Sequence, residues 1–365
     1  MAQWQAAIDR GDVAQLFALS EQWRHSQWPE GYAPPAPRTL ADVQSALPEQ
    51  LGAFVAWTPL PDGRLLTIAA TTHSAAFFVQ PMPLYIDELL EQFLLGLQEP
   101  PRPEALQDAF DQYTRQAIEL YDLLLADALA WLPPKTTRLV VSPFGKWRLL
   151  PLQALIAEVE HPVASYQYLP FLAKKYRFDY TLSGSAWLEG RLAAARRGRP
   201  EQRALLVAPD YFGYEWPRPD DRATLQYLQL LQAPDGALPS LPATAALAAT
   251  IERLGGEVWR AEQTTPARVQ APPPSLGVWH AEAHLLPLGS RADSLLLALT
   301  PWEDDGLMPL STLATKGLHA HLAVLPACHW GMLPLAQAAT ALQALQVALH
   351  RAGTATTLVA LWYGA

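Results

Sequence analysis

Two short segments run from apolar residues into a polar, reactive side chain: Val278-Trp279-His280-Ala281-Glu282-Ala283-His284 and Ala323-Val324-Leu325-Pro326-Ala327-Cys328. The second carries the only cysteine of the chain. A thiol beside an imidazole is the minimum for a cysteine nucleophile, because the imidazole takes the thiol proton and leaves a thiolate. A single cysteine is more often a small buried hydrophobe. Cys328, however, follows its apolar run instead of lying within it, and Gly331 permits a tight turn that can aim backbone N–H groups at a developing oxyanion.

Of the two histidines, His280 lies inside its apolar run, where packing is the simpler role. His284 lies past the run, where a base must reach a thiol, and it is the expected general base. Their i, i+4 spacing shares a face only on a helix, and no third ligand is nearby, so no metal site is expected. His319 and His321 precede a strand without a carboxylate or cysteine cluster to complete a metal shell. His329, beside the cysteine, could modulate the thiol. Asp293, Glu303, Asp304 and Asp305 lie between the histidine and cysteine segments and read as a solvated loop face, the alternative being that one lines a pocket for a basic substrate side chain. Ser142-Pro143-Phe144-Gly145-Lys146 lacks the spacing of a phosphate-binding loop, and Leu254-Gly255-Gly256 reads as a helix end. Ser183-Gly184-Ser185 lacks the Gly-x-Ser-x-Gly pattern of a nucleophile elbow. No cofactor is expected.

Elements that could position these residues are legible from periodicity. Residues 1 to about 30 show a helical apolar face through Trp4, Ile8, Leu16 and Leu19. Ala53 to Trp57 and Arg64 to Ile68 flank a Pro-Asp-Gly turn and predict a hairpin, with a third strand over His73 to Val79. Leu84 to Trp131 reads as helical, broken at the prolines near 100. After Pro134 short strands alternate with helices. The strands are Arg138 to Ser142, Ala204 to Ala208, Leu276 to His280, His321 to Leu325 and Thr356 to Trp362. The helices lie near 149–157, 183–196, 222–232, 243–254 and 335–352. Alternation of this kind predicts an α/β fold with a mainly parallel sheet covered by helices. Functional groups in such sheets collect past the carboxyl ends of the strands, and the runs ending near His280 and Leu325 are expected to be neighbours.

Bulk properties narrow the classes. The chain of 365 residues is half hydrophobic and only 17% charged, enough for a sizeable core. A net charge of -9 argues against nucleic acid and anionic membrane as direct partners. One cysteine excludes an internal disulfide and fits a reducing, cytoplasmic setting. No basic, then apolar, leader opens the sequence, and no apolar run approaches a membrane span.

The chain resembles the CHAT family, caspase-like peptidase domains related to separase. The resemblance rests on an ordered set of segments: Ser142-Pro143-Phe144-Gly145, then Leu149-Leu150-Pro151-Leu152-Gln153-Ala154-Leu155, and Tyr176 to Leu188. Leu241-Pro242-Ala243-Thr244, Val278 to His284, Leu325 to Gly331 and Ala352-Gly353-Thr354-Ala355 to Trp362 continue the series. The order of His before Cys, 44 residues apart from His284 to Cys328, is also that of caspases. The resemblance implies a caspase-hemoglobinase fold and a His284–Cys328 dyad, with an oxyanion hole from the backbone N–H groups of Leu285 and Cys328. It also implies a division into a helical extension over 1–40, an N-terminal part of the CHAT region over 41–134, and a caspase-like peptidase core over 135–365. That core ends at Ala365, where the family continues into another helix. The family carries Gly after its histidine; Leu285 would be strained there if the loop required a left-handed φ.

The expectation is therefore a cytoplasmic cysteine endopeptidase acting on a protein substrate, under control of a regulatory or activating protein as the resemblance implies. The alternatives are a catalytically inactive caspase-like module that binds proteins, and a non-proteolytic thiol acyltransferase.

Overall fold

A computed structural model describes residues 1–98, 101–158, 165–197, 203–211, 238, 241, 244–287, 295–302, 304–326 and 333–360. The chain divides into two compact units, residues 1–28 with 33–189, and residues 29–32 with 190–365.

In the first unit the helical start is two helices, Ala2–Arg10 and Val13–Ser26, rather than one. Gly11 takes a left-handed φ of 66° to end the first, and Asp12 caps the second by accepting from the Gln15 N–H at 2.9 Å. The hairpin forms as expected, from β1 (Gly52–Pro59) and β2 (Arg64–Ala70), and β3 (Ala75–Pro81) extends it. β4 (Arg138–Ser142) and β5 (Arg177–Tyr180) add parallel strands on the other side, giving the order β3-β2-β1-β4-β5. β4, read from the sequence as one of the strands after Pro134, pairs with β1 in this sheet. Phe54, Ala56, Leu66, Ile68 and Val140 form one face, packed under Leu16 and Phe17 of helix Val13–Ser26. Trp57, on the opposite face, donates its indole N–H to the Leu124 carbonyl at 2.8 Å.

The expected helix near 149–157 is absent. Two single 3₁₀ turns, Gly145–Leu149 and Leu152–Ala154, stand in its place. Pro151 separates them: it offers no N–H to a helix and holds Leu150 extended, at ψ 115°.

The second unit contains β6 (Ala204–Ala208), β7 (Glu257–Arg260), β8 (Val278–Ala281), β9 (Leu285–Pro287), β10 (Leu295–Ala298), β11 (Leu307–Pro309), β12 (Leu322–Leu325) and β13 (Thr356–Val359). Five of them form an all-parallel sheet in the order β13-β12-β8-β6-β7. Helices Thr244–Arg253 and Leu335–Arg351 flank it; the latter buries Ala338, Leu342, Leu345 and Leu349. The expected helix near 222–232 lies outside the described residues. β9, β10 and β11 form a small antiparallel sheet inserted between β8 and β12. The chain is thus an α/β protein with a mainly parallel sheet flanked by helices, preceded by helices and a hairpin. No helix among the described residues is long and apolar enough to cross a membrane.

Candidate functional site

β8 and β12 are adjacent and parallel, with Leu322 opposite Val278, Ala323 opposite Trp279 and Val324 opposite His280. Parallel neighbours lie about 4.8 Å apart. His284 follows His280 by four residues, and Cys328 follows Val324 by the same number. Cys328, with His329 and Gly331, lies outside the described residues, as do Asp293 and Glu303.

His284 lies between β8 and β9 and is only 1% exposed. Its carbonyl accepts from the Ala298 N–H at 2.9 Å, which carries the β9–β10 ladder one step further. Its own N–H donates to the Tyr211 hydroxyl at 3.3 Å. That hydroxyl in turn donates to the Ala298 carbonyl at 2.8 Å. The two rings pack with centroids 5.3 Å apart, tilted by 44°. Tyr211, just past the carboxyl end of β6, therefore holds His284 by both backbone and ring. Burial pushes the Tyr211 phenol above its ordinary pKa of 10.0; the bond from His284 opposes this and the Glu282 charge adds to it. The phenol is neutral at pH 7, free to donate and accept at once.

His280 sits within β8, and its Nε2 lies 2.9 Å from Oε2 of the buried Glu282. The Glu282 N–H donates to the Val207 carbonyl at 2.9 Å, which anchors the strand exit to β6. Below this lies a buried hydroxyl pair, Thr264 and Thr300 at 2.7 Å, with Thr300 Oγ1 accepting from the Asp210 N–H at 3.0 Å.

Leu285 opens β9 opposite Leu297 and is buried. Among the described residues the non-glycine residues with positive φ are Gln50, Ala261, Ser275 and His319, so Leu285 is not one of them. Its branched side chain meets no left-handed strain.

Other residues singled out from the sequence have structural roles here. His319 takes a φ of 50° and lies against two glycines: a Cβ on Gly317 or Gly353 would come within 2.6 or 2.8 Å of its ring. Asp304 and Asp305 accept from the N–H groups of Gly306 and Leu307, both at 2.9 Å, which shapes the turn into β11. Ser183 caps helix Gly184–Arg197 through the Ala186 N–H at 3.0 Å. Among the described residues no group of three or more His, Cys, Asp or Glu is gathered as a metal would require.

Tyr211 and Glu282 were not singled out from the sequence. The signal for Tyr211 was its place directly after an apolar strand, at the carboxyl edge where site residues gather. Glu282 was masked by its position between two more conspicuous histidines.

No curated protein matches the chain. The family model of the CHAT domain matches residues 114–363, more than half of the chain.

Proposed function

The chain belongs to the CHAT domain family, which is caspase-like and peptidase-related, and on that premise we propose that it is a cysteine endopeptidase using His284 and Cys328. The observation that carries this reading is the register of β8 on β12. His280 pairs with Val324, and the imidazole and the thiol follow these partners at equal sequence distance.

In the proposed reaction His284 withdraws the Cys328 Sγ proton and the thiolate attacks the peptide carbonyl carbon. The oxyanion accepts hydrogen bonds from the N–H groups of residues 285 and 328. The imidazolium then returns its proton to the leaving amine. Water, deprotonated by the same imidazole, cleaves the thioester to release the acid and the free thiol. The substrate is a protein, and a partner protein controls access to the site. The extended backbone at Leu285 supports this reading, because an N–H in a strand needs no glycine to be aimed.

A second reading, a catalytically inactive module that binds proteins, is favoured by the near-complete burial of His284, since a working base must meet its substrate. Labelling by an electrophilic peptide separates the two. Modification of Cys328 that is lost in His284→Ala supports the peptidase; an unreactive thiol supports the binding module.

A further inference from the structure

The first unit carries two buried arginines that the proposed reaction does not use. Arg24, on helix Val13–Ser26, is 2% exposed and reaches over the carboxyl ends of β1 and β4. Its Nη2 donates to the carbonyls of Trp57 at 2.6 Å and Ser142 at 2.8 Å, and its Nη1 to that of Pro143 at 3.3 Å. Its Nε–H is buried and without a partner among the described residues. Arg148, in the 3₁₀ turn that follows β4, is 8% exposed and has no hydrogen-bond or ion-pair partner among the described residues.

A third open donor lies on the same side. Ala56 pairs with Ser142 and Phe54 with Val140. Phe54, Ala56 and Val140 all pack toward helix Val13–Ser26. Alternation along β4 therefore turns Ser142 to the face that Arg24 covers. The Ser142 hydroxyl is buried with no partner among the described residues.

The nearest acid on the helix does not balance these charges. Glu21 is committed to the start of helix Gly184–Arg197, accepting from the N–H groups of Gly184 at 2.9 Å and Ser185 at 2.8 Å. Glu21 does act on Arg24 electrostatically, but Arg148 has no such counterweight. Burial and, to a lesser degree, the Arg24 charge together lower Arg148 to about 9, so the two guanidinium groups lie within electrostatic reach of each other. Burial likewise lowers Arg24 to about 10. Both stay charged at pH 7, so the cost of burial is not relieved by losing a proton.

We propose that Arg148, the Arg24 Nε–H and the Ser142 hydroxyl form a binding site for a small oxyanion, a phosphate or carboxylate group, at the carboxyl ends of β1 and β4. A guanidinium fork beside a hydroxyl matches such a group in geometry as well as charge. The carboxyl edge of parallel strands is also where open α/β sheets bind ligands. The site is independent of the peptidase reading and stands or falls without it.

The test titrates inorganic phosphate and, separately, acetate into the full chain at ionic strength held constant with sodium chloride. Binding is read by calorimetry and by the melting temperature. The site predicts saturable binding of one or both anions and a rise in melting temperature. Arg148→Gln should weaken binding by about 10- to 100-fold, the scale of one charge-assisted hydrogen bond. Ser142→Ala, which leaves both arginines in place, should weaken it less. Without anion, Arg148→Gln should melt no lower than wild type, because it removes an unbalanced buried charge. A response to phosphate alone assigns a phosphate-bearing ligand, and to acetate alone a carboxylate-bearing one. No saturable binding of either anion, or equal binding by wild type and both variants, overturns the site.

Discussion

The Tyr211 hydroxyl accepts the backbone N–H of His284 while donating to the Ala298 carbonyl, and its ring lies against the imidazole. The histidine is thus held through a residue from a different strand exit, β6, and through the small sheet of β9 and β10. Movement of either support moves the imidazole.

Tyr211→Phe keeps the ring contact and removes the hydroxyl. It leaves a buried carbonyl short of a donor, so stability should fall by about 1–3 kcal/mol. Any peptidase turnover should fall by up to about 10²-fold through misplacement, with KM little changed. Because the folded phenol has a raised pKa, its contribution is present below 10.0, the ordinary value, and declines as pH rises through and beyond it. The stability gap between wild type and Tyr211→Phe should therefore narrow when melting is compared at pH 8 and above pH 10. A gap that widens with pH contradicts the assignment.

The two histidines should separate in kinetics. His284→Ala is expected to lower kcat by about 10²–10⁴-fold, the usual loss for a general acid-base group. His280→Ala leaves the buried Glu282 carboxylate without its 2.9 Å partner and should act through melting temperature instead. If His280→Ala abolishes turnover in a folded protein and His284→Ala does not, the base is His280.

Leu285 offers a test of the backbone. Its φ is not in the left-handed region and its side chain is buried, so glycine brings no relief. Leu285→Gly should lose roughly 1.5–3 kcal/mol of stability from the buried side chain and gain no turnover. A gain in turnover would show that the oxyanion N–H is restrained by the leucine.

Much of this arrangement was legible in the sequence because buried parallel strands read as apolar runs. The runs ending near His280 and Leu325 are adjacent, as expected. The sheet of β9, β10 and β11 was not legible: strands such as Leu285–Pro287 and Leu307–Pro309 are too short to show alternation. The region around 149–157 misled through its apolar spacing, which Pro151 overrides. The placement of Arg138–Ser142 beside β1 rests on pairing across 86 residues of sequence, from Gly52 with Arg138 to Ala56 with Ser142, which no local pattern encodes. Tyr211 escaped notice because its role depends on Ala298, a residue with no chemistry of its own.

The central claim is that His284 activates Cys328. The most direct measurement is the rate at which a peptide electrophile alkylates this single thiol, followed by intact-mass spectrometry across pH in wild type and His284→Ala. The account predicts a single adduct on wild type that is absent in Cys328→Ala, with a rate that persists below pH 8 and is lost in His284→Ala. An alkylation rate that is the same in wild type and His284→Ala, and that rises only near pH 8.5 as for an ordinary thiol, contradicts it.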